Sequence, residues 1–439
     1  MSRVLLASPL FFALVACGPQ LPPAAAPSPL RSPEPAPVVG AREVPRLPTE
    51  ALRLDPGAPV AGEGQDAAAL FERAGHLLSA RKYRQALALY DRLLRLAEGS
   101  RLVSPSLYNA GLAHEWLRDF GGAAGRYREL LRRFGSTREA VDAAFRLGGC
   151  HAELGDWSAS ARVFAELLRR KDLTASDRLE CLAREGLAHY RLGDHSAARR
   201  ALEEAVAYHS SVEAVERLDT DYFVAMARYY QAAIPHLEFR QLKVDRGAGL
   251  ARTLDEKARL LLLAQLSYIK TIRLRNPFWA TAAGFQIGSL YRELYLVLLT
   301  TLPDFTGKAA QNARMARIPL PKAKEQLVQA YLEEVHRTVK PLLDKAIRVF
   351  EKNLQTGERA GVQSDWVLKS RAQVNELKHL LTLPPAAAVK LVTDDQRLPE
   401  DRPGAPAGRR SPTFSPERWP SHSRPEPSDE DEEAEDVVL

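Results

Sequence analysis

Three histidines, His114, His151 and His189, recur at intervals of 37 and 38 residues. Neutral imidazole is the commonest metal-ligating side chain, so this recurrence is the first place to look for chemistry. A zinc ion holds each nitrogen at about 2.0–2.1 Å, whereas equivalent positions on helices stacked side by side lie about 8–10 Å apart. Imidazoles so placed reach one ion poorly. The spacing therefore points to a half-buried packing position used three times, and no metal is expected.

Other chemistry is scarce. The chain has no H-E-x-x-H, no G-x-S-x-G, no Walker loop and no G-x-G-x-x-G; Gly247-Ala248-Gly249 runs into Leu250-Ala251-Arg252 and stops there. The carboxylate pairs Glu203-Glu204 and Glu333-Glu334 sit in helical patterns and read as solvated faces, not as acids held apart across a cleft. No enzyme activity and no cofactor are expected.

The elements that carry the histidines are themselves repeated. RKYRQALALY from Arg81, RDFGGAAGRY from Arg118, GDWSASARVF from Gly155 and GDHSAARRAL from Gly193 align. Tyr83, Phe120, Trp157 and His195 correspond, followed by Ala86, Ala123, Ser160 and Ala198, then by Tyr90, Tyr127, Phe164 and Leu202. Upstream of each small residue stands another: Ala74, Gly111, Gly148 and Gly186. Two helices joined by a short turn account for this pattern. Small residues facing one another let the backbones approach, and the aromatic residue fills the wedge where the hairpin opens. One hairpin cannot bury its apolar face alone, so neighbours must stack.

The pattern resembles the tetratricopeptide repeat (TPR). Leu147-Gly148, the Gly155-Asp156-Trp157 turn, Ser160, Phe164 and Leu167 match it, as do Leu107, Ala110, Gly111, Phe120, Ala123, Tyr127 and Leu130 one unit earlier. The first unit departs most, with Arg73 where leucine is usual. The resemblance covers residues 66–210 and implies an all-α, right-handed superhelical solenoid of helix-turn-helix units, in which histidine replaces a customary tyrosine. In this register Cys150 and Cys181 fall about seven residues apart, roughly 10 Å along the helix axis. A disulfide needs Cα atoms within about 7 Å, so two buried free thiols are expected.

Beyond residue 210 the repeats degrade without stopping. Glu213 to Ala233 reads as a helix ended near Pro235, and Asp255 to Arg275 as a long helix. Ile287-Gly288 and Tyr291 look like a further first TPR helix, and residues 303–321 read as a loop. Helices are expected at about 322–339, 341–356 with Pro341 opening the second, and 364–382. The stretch KPLLDKAIRVFEKNLQTGERAGVQSDW, with Trp279-Ala280-Thr281-Ala282-Ala283 upstream, is similar to the carboxy-terminal half of TPR lipoproteins of the adventurous gliding-motility apparatus.

The ends differ from this body. Of the 30 prolines, one is Pro9, twelve fall in residues 19–60 and ten in 384–428, leaving seven for residues 61–383. Residues 1–17 carry one charge, Arg3, and a short apolar run too brief to span a bilayer about 30 Å thick. The ending Leu14-Val15-Ala16-Cys17 resembles a lipobox, which implies acylation of Cys17; Gly18 in place of Asp favours the outer membrane. Residues 18–60 read as a disordered Pro/Ala-rich linker, 61–210 as four TPR-like units, 211–383 as a divergent helical continuation and 384–439 as a disordered tail. Formal charge is +1 over residues 1–60, +11 over 61–383 and −6 over the tail, which contains DEDEEAED at Asp429 to Asp436. Without a dense basic stripe the body is not expected to bind nucleic acid. It is a surface on which the acidic tail could fold back.

In TPR proteins the first helices line a concave face that receives an extended peptide or a partner helix. The resemblance maps that face onto Phe71, Leu78, Tyr108, Leu112, Glu115, Trp116, Phe145, Glu153, Leu187, Tyr190 and Arg191. The expectation is a non-catalytic, lipid-anchored periplasmic scaffold binding envelope proteins, specifically within a motility apparatus, and touching the membrane through its anchor alone. The competing expectations are a factor that binds or processes peptidoglycan, a basic body meeting an acidic polymer, and an outer-membrane assembly factor.

Overall fold

The computed structural model describes residues 65–97, 99–213, 221–245, 249–301, 320–384 and 387–388. Cys17, the linker and the acidic run lie outside them. The described residues form thirteen α-helices and no strand. They are α1 (Gln65–Ser79), α2 (Tyr83–Leu96), α3 (Val103–Trp116), α4 (Phe120–Phe134), α5 (Arg138–Glu153), α6 (Trp157–Leu167), α7 (Ala175–Leu192), α8 (His195–Glu213), α9 (Tyr222–Gln241), α10 (Leu250–Ile272), α11 (Pro277–Thr300), α12 (Leu320–Arg359) and α13 (Asp365–Thr382). Packing divides the described chain into two compact units that meet within α9, between Tyr230 and Gln231.

In the amino-terminal unit α1/α2, α3/α4, α5/α6 and α7/α8 pair as hairpins, and each hairpin packs on the next. A Cβ added to Gly111 would lie 2.4 Å from the Tyr127 ring; at Gly148 it would meet Phe164 at 2.6 Å, and at Gly186 it would meet Leu202 at 2.5 Å. The large residue of each second helix thus lies directly on the small residue of the first. The small residues also face each other, and the Ser160 hydroxyl donates to the Gly148 carbonyl at 2.9 Å.

The turns share one geometry. Arg81, Arg118, Gly155 and Gly193, at matching repeat positions, adopt φ of 59°, 61°, 77° and 79°. After the last three turns an aspartate caps the second helix: Asp119, Asp156 and Asp194 each accept an N–H three residues on, from Gly122, Ala159 and Ala197 at 2.9 Å. The first hairpin has Lys82 at that place and no side-chain cap.

The predicted role of the aromatic wedge needs correction. Tyr83 stacks on Trp116 of the next hairpin, with ring centroids 5.6 Å apart and planes 2° from parallel. Trp157 lies under the Arg191 guanidinium, 5.4 Å from its centroid. Between them Arg118 sits 4.7 Å over Phe120 and reaches Glu153 at 3.6 Å. The aromatic residues join neighbouring hairpins where each next first helix ends.

The carboxy-terminal unit contains the last turns of α9 and α10 to α13. α11 packs along α12, and both pack on α13. Asn353, buried, donates to the Thr281 carbonyl and to the Ser370 hydroxyl, each at 2.9 Å, tying all three together. Two helix ends expected at prolines do not occur. Pro235 lies inside α9 and Pro341 inside α12, which runs unbroken from Leu320 to Arg359. A helix-interior proline costs about 3 kcal/mol. Burial on both sides outweighs it: Ile234 and Phe239 flank Pro235, and Val339, Leu342 and Leu343 flank Pro341. The loop expected at 303–321 lies almost wholly outside the described residues. Among those described, no helix is long and apolar enough to cross a membrane.

Candidate functional site

The first helices carry a row of polar residues on the repeat spacing: Asn109, Arg146 and Arg184. Asn109 is buried and donates to the Tyr90 hydroxyl at 3.2 Å. Arg146, also buried, donates through Nε to the Tyr108 hydroxyl and through Nη1 to Glu115, both at 2.9 Å. Tyr127 donates to the other oxygen of Glu115 at 2.7 Å. Arg184 donates to Glu180 at 2.6 Å and lies over the rings of Phe164 and Phe223.

Electrostatics follow from this packing. Burial disfavours the Arg146 charge, but Glu115 together with Tyr108 and Tyr127 more than offsets it, so the guanidinium stays ionised. Burial pushes the hydroxyls of Tyr108 and Tyr127 up, fixing both as donors or acceptors rather than phenolates. Burial also raises Glu153, to about 7, against the pull of Arg118 and with the help of the neighbouring Glu115 charge. A buried ion pair with every partner in place specifies geometry more than it adds stability.

The sequence-predicted face divides accordingly. Phe71, Leu78, Tyr108, Leu112 and Phe145 are buried and act as core. Phe71, Tyr108 and Phe145 pack on Tyr90, Tyr127 and Phe164 of their own hairpins, and none of the five lines an open groove. Glu115 is held by Arg146 and Tyr127. Trp116, 38% exposed, and Arg191, exposed, occupy equivalent ends of α3 and α7, with half-buried Glu153 at the same end of α5. Leu187 and Tyr190 are half-buried. Tyr190 lies 5.2 Å from Tyr230 and 5.9 Å from His195 between ring centroids. The polar row was missed in the sequence, although it follows the same period as the glycines and histidines.

The histidines do not converge. Asp119 caps α4 and binds His114 through its second oxygen, at 2.8 Å from Nδ1. Its carboxyl is held below the usual range, first by the Gly122 N–H, so His114 must present Nδ1–H. His151 lies 3.6 Å from Asp156 on the same plan, and His189 lies 3.9 Å from Glu185. Each histidine thus meets a carboxylate of its own hairpin. Among the described residues no three His, Cys, Asp or Glu side chains could hold a metal ion. Cys150 and Cys181 are free and buried, burial pushing both thiols up. The Cys150 sulfur lies 3.9 Å from Glu115.

Four helix pairs in register, three of them with a glycine under the large residue and the first with Ala74, define the repeat. Residues 108–173 and 184–234 match the tetratricopeptide repeat family. Among solved structures the chain is similar to the C-terminal part of a TPR repeat-containing protein from Cytophaga hutchinsonii. The identity is 13% and the TM-score 0.37, over 73% of this chain and 99% of that one. No curated protein matches it. TPR units generally bind protein partners, and the repeats here fit an interaction scaffold.

Proposed function

We propose that the chain is a non-catalytic scaffold that binds a peptide or helix of an envelope protein along the ends of its first TPR helices. The observation that carries this reading is the recurrence of Trp116, Glu153 and Arg191 at one repeat position outside the core. Each is backed by an aromatic residue of the preceding hairpin, directly or through Arg118. An aromatic, an acid and a base on rigid supports offer both area and orientation to a partner. The lipobox-like ending at Cys17 supports attachment to the outer membrane with the body in the periplasm. The resemblance of the carboxy-terminal half supports a place in a gliding-motility apparatus.

The test compares the wild-type chain with a Trp116→Ala, Arg191→Glu variant of equal abundance by in-cell crosslinking and affinity capture. Tyr108 and Phe145 are left intact because truncating core residues would unfold the stack. A defined set of envelope proteins held by the wild type and lost by the variant supports the scaffold. Identical sets would move the binding face elsewhere, and recovery of wall fragments alone would favour a peptidoglycan-binding factor. Cys17→Ser should release the protein from the membrane fraction; retention would exclude the lipid anchor.

A further inference from the structure

The carboxy-terminal unit exposes an apolar spot that its own packing does not explain. The run Leu260 to Ala264 reads as core, and Leu260, Leu261 and Ala264 are buried, but Leu263 is 43% and Leu266 60% exposed. They stand three apart on α10, hence on one face, with Leu262 and Ile269 half-buried beside them. Four exposed cations continue this face at helical spacing: Arg252 and Arg259 before the leucines, Lys270 and Arg273 after them. Arg259 pairs with Glu256 at 2.5 Å. Arg252, Lys270 and Arg273 have no carboxylate partner among the described residues. The strip is thus apolar at its centre and basic at both ends.

We propose that this strip on α10 is the docking surface for the chain's own residues Asp429 to Leu439. That segment has the complementary chemistry. Asp429, Glu430, Asp431, Glu432, Glu433, Glu435 and Asp436 supply seven carboxylates, and Val437, Val438 and Leu439 supply an apolar patch beside them. Lengths agree as well. With Val437 to Leu439 over Leu263 and Leu266, the carboxylates that precede them fall over Lys270 and Arg273, which lie about 6 and 10 Å beyond Leu266 along the helix. The 41 residue steps from Ala388 to Asp429 would average about 35 Å end to end were they a flexible coil, longer than the strip they must reach along. Docking covers the leucines and neutralises Lys270 and Arg273 together, and ionic contacts of exposed groups weaken as salt rises.

The experiment places a photo-crosslinking benzoylphenylalanine at position 266 of the full-length chain at low protein concentration. Mass spectrometry then maps the product. The expected result is an intrachain crosslink within residues 429–439 that falls at least five-fold in 0.5 M salt and in a Lys270→Glu, Arg273→Glu variant. These positions are exposed, so the variant should keep its helicity and melting temperature. A label at 263 repeats the measurement should the one at 266 perturb the helix. A crosslink to a second copy, to another segment, or one indifferent to both charge changes overturns the proposal. So does the absence of any crosslink to the tail.

Discussion

Phe350 of α12 lies on Gly288 of α11 just as Tyr127 of α4 lies on Gly111 of α3. Ala346 precedes Phe350 by one helical turn, and Ala123 precedes Tyr127 by the same step. The carboxy-terminal unit therefore contains a TPR-like hairpin whose second helix is the latter part of α12. About forty-six residues are inserted between the two helices, on the spacing of the amino-terminal hairpins.

This contact predicts a sharp penalty for one methyl group. A Cβ at Gly288 would stand 2.6–2.8 Å from three atoms of the Phe350 ring. Gly288→Ala should cost about 1–3 kcal/mol, the usual range for overpacking a core. Adding Phe350→Leu should recover part of the loss, because the ring is the obstacle. Urea unfolding of the three variants measures this. A Gly288→Ala protein as stable as wild type would deny that the hairpin is closed here.

How far the sequence disclosed this arrangement depended on the length scale of each contact. The hairpins of the amino-terminal unit were legible because each glycine meets its large partner within a single repeat. Gly288 and Tyr291 were also legible as a first helix, but the partner Phe350 was hidden behind the insertion. Pro235 and Pro341 misled for a related reason: local propensity favours an end there, and burial of Ile234, Val339 and Leu343 overrides it. The face residues were recognised by position, yet position alone does not separate Trp116, which is exposed, from Tyr108, which Arg146 and the next hairpin enclose.

The turn geometry yields a stabilising change. Arg81 holds φ of 59° where the last two hairpins use glycine, and a left-handed conformation strains an L side chain by about 1–2 kcal/mol. Arg81 is exposed, so its removal leaves the core intact. Arg81→Gly should raise stability by about 0.5–1 kcal/mol after allowing for the greater freedom of glycine when unfolded. Gly155→Ala should lower it by about 1 kcal/mol. Thermal melts of the pair check both signs, and a loss in the first variant would contradict the strain argument.

Glu153 predicts a stability that declines toward alkaline pH. Burial raises its folded pKa to about 7, above the ordinary carboxyl value. Its contribution is fully present below the unfolded value near 4.5 and is lost as pH rises through about 7. Glu153→Gln should therefore leave stability nearly unchanged at pH 5 and increase it by about 1–2 kcal/mol at pH 8. Urea midpoints at the two pH values decide this. Equal effects at both would show that the carboxyl is ionised throughout.

Glu293 of α11 predicts the opposite slope. His236 approaches it through Nε2 at 3.3 Å, and Arg240 binds both of its oxygens, at 2.6–3.0 Å. Burial alone would raise the carboxyl, but these hydrogen bonds and charges outweigh it and hold it at about 2. Burial keeps His236 below its usual value, so near neutral pH the arginine is the charged partner. The folded value lies beneath the unfolded one, so this stabilisation is present above pH 4.5 and disappears as pH falls toward 2. Its size is on the order of 2–3 kcal/mol, since the carboxylate is mostly enclosed. Glu293→Gln should remove that amount at pH 7 and flatten the acid limb of the stability curve between pH 4.5 and 3. His236→Gln and Arg240→Gln should each flatten that limb in part, because both side chains hold the carboxylate down. If neither partner variant flattened it, the assignment of this stabilisation to His236 and Arg240 would fail.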